Sequence, residues 1–83
     1  LPEDVDVAMV PVRADLDGLT LAELQLPRRF GVSVLAVARG EEKLPARGDT
    51  VLREGDAVVV LGDPRALALL RRADIDWDTT QEG

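Results

Sequence analysis

The sequence predicts an α+β domain of order β-α-β-β-β-α: a small, mostly antiparallel four-stranded sheet with two helices on one face. Three observations predict it. The runs "VSVLAVAR" (32–39) and "AVVVLG" (57–62) are apolar on both sides, as strands covered on both faces are. Two helix starts are written in local chemistry, T-x-x-E from Thr20 to Glu23 and Asp63-Pro64. The pairs Gly55-Asp56 and Gly62-Asp63 punctuate the last apolar run at both ends. Two helices cover only one face of such a sheet. The other apolar face is therefore expected to meet a second copy or another domain, and a homodimer is the economical reading.

"LPED" (1–4) reads as the end of a linker, and "VDVAMVPVR" (5–13) as a strand. Pro11 cannot donate to a ladder, which places that strand at an edge or a bulge. "ADLDG" (14–18) is a turn. The capping box starts a short helix over 20–24 that buries Leu21 and Leu24 and stops by Pro27. "RRFG" (28–31) turns into a central strand, with Val32, Val34, Ala36 and Ala38 expected on one face and Leu35 and Val37 on the other. "GEEK" (40–43) is a hairpin loop, "KLPA" a short return strand and "RGDT" (47–50) a further turn. After the strand at 57–62, "PRALALLRRA" places Ala66, Leu69, Leu70 and Ala73 in one helical stripe. "DIDWDTTQEG" (74–83) is an acidic, polar tail, in which Trp77 is expected to pack on the sheet or a neighbour.

Composition narrows the function. With 83 residues and a single Phe and Trp, the core must be aliphatic and thin, a reason for a second copy. Net charge is −6, which argues against nucleic acid as a partner. The absence of Cys and His removes thiolate metal sites and the usual nucleophile–base pairs. Ser33, the only serine, lies inside a strand, so no enzyme is expected. No apolar run reaches the ~20 residues of a membrane helix, and no direct membrane insertion is expected. The chain begins at Leu1 rather than Met and reads as a piece of something longer.

Four stretches then carry a resemblance: "G-x-T-L-x-E-L-x-L-P" (18–27), "G-V-x-V-L-A-V-x-R-G" (31–40), "P-x-x-G-D-T-x-L-x-x-G-D" (45–56), and "L-G-D-P" (61–64) after the last strand. In this order and spacing they resemble the TrkA-C domain, the C-terminal lobe of RCK (regulator of potassium conductance) units, over residues 5–73. The resemblance implies a dimerising, ligand-sensing regulatory domain, cytoplasmic at the inner face of the membrane. It would belong to a potassium or cation transport protein: a cation/proton antiporter, a permease or a channel. A ligand-free assembly module holding transporter subunits together is the alternative.

The resemblance also suggests where a ligand would sit. Members that bind cyclic di-AMP in an inter-subunit cleft end the first helix in D-x-R and begin the next strand with Asn. The matching positions here are Gln25, Pro27 and Ser33, so the Arg and the Asn are missing. Val34 and Pro45 keep the apolar wall, and Arg28, Arg29 and Arg39 could supply charge. The expected ligand-contacting set is Ser33, Val34, Arg39, Pro45 and Arg28. The expected dimer contacts are Val34, Ala36, Val58 and Val60, on the strand faces turned from the helices. No cofactor is required. Cyclic di-AMP or another nucleotide is the ligand to consider first, and Ca²⁺ second. The acids at Glu3-Asp4-Asp6, Asp15-Asp17, Glu41-Glu42 and Asp74-Asp76-Asp78 lack the spacing of a calcium loop; solvated surface charge is their plainer reading, and no metal ligand is assigned.

Overall fold

The computed structural model describes residues 4–73. Residues 1–3 and 74–83, with the expected tail and Trp77, lie outside the described residues. The elements are β1 (Asp6–Pro11), α1 (Leu21–Leu24), α2 (Leu26–Phe30), β2 (Ser33–Arg39), β3 (Glu42–Pro45), β4 (Ala57–Gly62) and α3 (Pro64–Ala73), with a single 3-10 turn at Ala14–Leu16. The sheet runs β1-β4-β2-β3 and every pairing is antiparallel. The α+β reading stands, with β4 and β2 central and Pro11 in an edge strand.

The local signals act as their chemistry requires. The Glu23 amide donates to Thr20 Oγ1 while the Thr20 amide donates to the Glu23 carboxylate, which closes the capping box. Asp63 Oδ1 accepts from the Ala66 amide at 2.8 Å and caps α3 ahead of Pro64. Gly40, at φ 60°, makes the first position of a hairpin turn so tight that Arg39 already pairs with Glu42. The expected four-residue loop is thus a two-residue one.

Three readings change. Residues 28–30, read as a turn into β2, belong to a second short helix, while the first helix ends before Pro27 as expected. Gln25 breaks it by taking a left-handed conformation (φ 52°, ψ 43°), and Pro27 then sits in the first turn of α2, where its missing N–H costs nothing. The stripe of α3 is Ala66, Leu67 and Leu70; Leu69 is 55% exposed. The third change lies in β2. Val34 pairs with Val60 and Ala36 with Val59, so neighbouring partners on β4 face residues two apart on β2, and Leu35 is the extra residue of a bulge. Side-chain alternation reverses there. Val34 and Val37 face the helices with Val58 and Val60, whereas Ala36 and Ala38 join the opposite face.

The core lies between the sheet and the helices. It is built from Ala8, Val10, Val58, Val60 and Val37 of the sheet, Leu21, Leu24 and Leu26 of α1 and α2, and Ala66, Leu67 and Leu70 of α3. Leu52, from the segment before β4, fills its centre. No described element covers the other face. There Val7 and Met9 of β1 stand exposed beside Leu61 and Val59 of β4, with Leu35 at the bulge. Val58 and Val60 were expected on this free face, but they are 1% and 0% exposed in the core. Of the four expected dimer contacts only Ala36 is on the uncovered side, because Val34 pairs with Val60 and Val37 with Val58, and all four of these face the helices.

Candidate functional site

Residues 48–52 run back along residues 18–22 as an irregular ladder. The Gly18 and Leu52 amides donate to Leu52 and Leu19 carbonyls, Leu21 donates to Thr50, and Ala22 donates to Gly48 at 3.0 Å. This ties the turn after β3 to the start of α1. The turn itself is closed by Thr50, whose hydroxyl donates to the Pro45 carbonyl at 2.8 Å and accepts from the Arg47 amide at 3.0 Å. A side chain at Gly48 would meet the Ala22 Cβ at 3.5 Å, an ordinary contact, so the two segments are in touch there.

Between this turn, the α1–α2 elbow and β2 opens a cleft of about 270 Å³. Leu21, Ala22 and Pro27 form one wall and Ala46 and Gly48 the other, with Val34 lining the cleft from β2. Its polar side chains are the Gln25 amide and the Arg47 guanidinium. Gln25 is the one described residue other than glycine with positive φ. Such a backbone costs on the order of 1 kcal/mol and collects at binding sites.

Of the five expected ligand contacts, the structure places Val34 in this cleft and distributes the others around it. Pro45 precedes the lining residue Ala46, but it pairs with Ala36 on the opposite face of the sheet. Ser33 pairs with Leu61 and shares that opposite face. Arg28 is exposed next to Pro27 without lining the cleft, and the neighbouring Arg29 lies over the Phe30 ring at 5.3 Å. The matching positions Gln25 and Pro27 do line it.

Arg39 is engaged elsewhere. Its Nε and Nη2 donate to the two Asp56 carboxylate oxygens at 3.0 and 2.8 Å, and Nη2 also donates to the Val51 carbonyl at 3.0 Å. Asp56 is buried and additionally accepts from the Arg53 amide at 2.9 Å. The clasp joins β2 to the turn before β4. Hydrogen bonding from Arg39 holds the Asp56 carboxyl below the usual carboxylate range, against the opposing effect of burial, and Asp56 in turn raises Arg39. Nε and Nη2 of Arg39 are thus committed within the fold, so Arg39 has a structural role whether or not it also meets a ligand.

Arg47, by contrast, went unnoticed in the sequence because "RGD" reads as a plain turn. The signal was present in the same letters: a Thr three residues after Arg47, which closes the turn and fixes where the arginine starts. Of the acidic pairs, Asp17 uses its Oδ1 to accept from the Glu54 amide at 2.8 Å. Among the described residues no group of three or more Asp or Glu is placed to hold a metal ion.

An uncharacterized transporter of Rhodopirellula baltica is 32% identical over 65 residues, which is 78% of this chain and 12% of that protein. The chain thus spans about an eighth of the length of this relative. The RCK C domain of the potassium transport protein KtrA, solved with cyclic di-AMP, superposes with a TM-score of 0.74 at 17% identity, over 84% of each chain. The GsuK channel bound to NAD gives 0.77 at 22% identity, over 89% of this chain and 14% of that one. The RCK_C domain dimer of S. agalactiae BusR with cyclic di-AMP gives 0.68 at 17% identity, over 86% of this chain and 95% of that one. BusR has also been solved on its promoter DNA, where the match covers 37% of that protein. The fold therefore occurs in a protein that meets nucleic acid, and the fold by itself does not exclude such a partner. The TrkA-C domain pattern matches residues 7–73, and this chain belongs to the TrkA-C domain family.

Proposed function

We propose that the chain is a cytoplasmic, dimerising regulatory lobe of a cation transport protein, and that its cleft receives a nucleotide. The observation that carries this is the cleft itself, an apolar slot with one amide and one guanidinium built against a backbone held in a strained conformation. At about 270 Å³ it falls just short of the roughly 300–1,000 Å³ of small-molecule sites. Two such clefts brought together would hold a ligand that is itself two-fold, which fits cyclic di-AMP as found with the KtrA and BusR domains. Binding regulates only where the ligand prefers one arrangement of the two lobes over another. The family regulates ion transport and is not one of enzymes; the parent is a cation/proton antiporter, a permease or a channel, with this lobe at the inner face of the membrane.

A thermal-shift panel on the 83-residue chain with cyclic di-AMP, ATP, ADP, NAD, Ca²⁺ and Mg²⁺ tests the reading. A nucleotide at a hundred times its Kd stabilises by about 2.7 kcal/mol, and the midpoint should rise by roughly 10 °C or more. A response to Ca²⁺ alone would move the site to the acidic turns. No response to any nucleotide would abandon the sensor.

The second reading, an assembly module, draws on the uncovered face with Met9 57% exposed. Here that face meets a second copy. Met9→Lys is expected to shift the chain from dimer to monomer in sedimentation experiments with little change in thermal midpoint. A parent chain that is already monomeric would assign the face to another domain instead.

A further inference from the structure

We infer that Arg47 is the anion anchor of the cleft, and that the cleft takes a ligand pairing a flat apolar group with a phosphate ester or carboxylate. The inference rests on the reading of the cleft as a small-molecule site. The helix wall, Leu21, Ala22 and Pro27, offers apolar surface and no charge. The charge comes from the facing turn. There the Arg47 amide donates to Thr50 Oγ1 and its carbonyl accepts from the Thr50 amide, both at 3.0 Å, so the backbone of the arginine is fixed. The next residue is tied across the cleft through the Ala22–Gly48 hydrogen bond. Only the side chain is left to move, and among the described residues the guanidinium has neither hydrogen bond nor ion pair.

That combination differs from Arg39, whose guanidinium is consumed by Asp56. It differs also from Arg28, which is exposed and outside the lining. The guanidinium of a residue that lines an apolar slot, with no partner among the described residues, is suited to bidentate recognition of an oxyanion, and the low-polarity wall beside it strengthens such a bond. Gln25 completes the chemistry. It also lines the cleft, and its amide has both a donor and an acceptor for the edge of a heteroaromatic ring. Val34 and Pro27 supply the surface against which that ring would lie.

The test is an amide NMR titration of the 83-residue chain with inorganic phosphate, AMP and adenosine, in the parent and in Arg47→Gln and Arg47→Lys. In the parent, AMP should bind about tenfold or more tighter than adenosine, as one charge-assisted hydrogen-bond pair provides. Arg47→Gln should reduce AMP to the level of adenosine and leave adenosine unchanged, and Arg47→Lys should recover part of the difference. Because the side chain is exposed, the variants should keep the parent spectrum outside the cleft. An AMP affinity within about twofold of the parent in Arg47→Gln overturns the anchor while the nucleotide reading survives. So do shifts that gather at Arg28 and Arg29, or at Arg65 and Arg72, instead of at residues 46–48 and Gln25. Phosphate shifts at 46–48 that vanish in Arg47→Gln, with no response to either nucleoside compound, keep the anchor and discard the nucleotide. Silence toward all three probes discards both.

Discussion

Leu70→Ala unfolds far below the parent domain, with a loss of about 3 kcal/mol and a thermal midpoint lower by roughly 12–24 °C. Leu70 is fully buried beneath α3, among the largest side chains of a core that has no aromatic ring in its buried cluster. Removing most of it leaves a cavity that neighbours fixed by the sheet register, Val10, Val58 and Val60, cannot move to fill. A domain of this length has only about 5–10 kcal/mol of stability in total, so one such cavity removes a large part of it. Leu69→Ala is the control. That side chain is the adjacent residue and is mostly in solvent, and its loss should change stability by no more than about 0.5 kcal/mol. Equal losses in the two variants, read by thermal melts, would mean that α3 is rotated from the orientation described.

Asp56→Ala is the second large effect, with about 2 kcal/mol lost and a midpoint lower by roughly 8–16 °C. Asp56 is 3% exposed and satisfies both the Arg39 fork and the Arg53 amide. Its removal leaves the part-buried Arg53 amide without its acceptor and a cation without its counter-charge. The loss stays below the 3–5 kcal/mol of a fully buried pair because the Arg39 side chain is 38% exposed and water reaches it. The sign of the pH dependence follows from the depressed carboxyl. Its folded value lies below the ordinary 3.8, so the contribution is complete above that pH and is lost as pH falls through the folded value. Arg39 stays charged throughout this range. Melts of the parent and of Asp56→Asn should therefore differ by a constant amount from pH 7 down to about 4 and converge in stronger acid. Curves that stay parallel below pH 4 would show that the carboxylate charge is not what matters.

The sequence was most legible where chemistry is local. Thr20 with Glu23, and Asp63 with Pro64, announce helices because the groups that satisfy the first amides are three residues away or fewer. Pro11 marks an edge because a missing donor is intolerable in a central strand. The features that escaped depend on partners distant in the chain. Arg39 looks like a free cation until the register brings Asp56 beside it. In "ALALL" every residue is apolar, so periodicity allows either Leu67 or Leu69 on the buried side, and packing selects Leu67. A left-handed Gln25 is invisible because nothing in a glutamine side chain requires that conformation. The region of the cleft was legible through Gln25, Pro27 and Val34, whereas its cation was not, since Arg47 gains meaning only from the wall that faces it.

The bulge in β2 has the effect on side chains that a one-letter insertion has on a reading frame. Upstream of Leu35 the strand is read in one phase and downstream in the other, and β4 supplies the fixed template against which both phases are set. Val34 thereby faces the cleft, while Leu35 and Ala36, consecutive in the chain, both lie on the uncovered face. Deleting Leu35 would close the bulge and leave Val34 opposite Val60 and Ala36 opposite Val59, so each would keep its face; inserting or deleting a residue in a regular strand would instead turn every residue beyond the cut to the other face. On the β4 template Ser33 and Val34 pair with Leu61 and Val60 in one phase, and Ala36, Val37 and Ala38 pair with Val59, Val58 and Ala57 in the other.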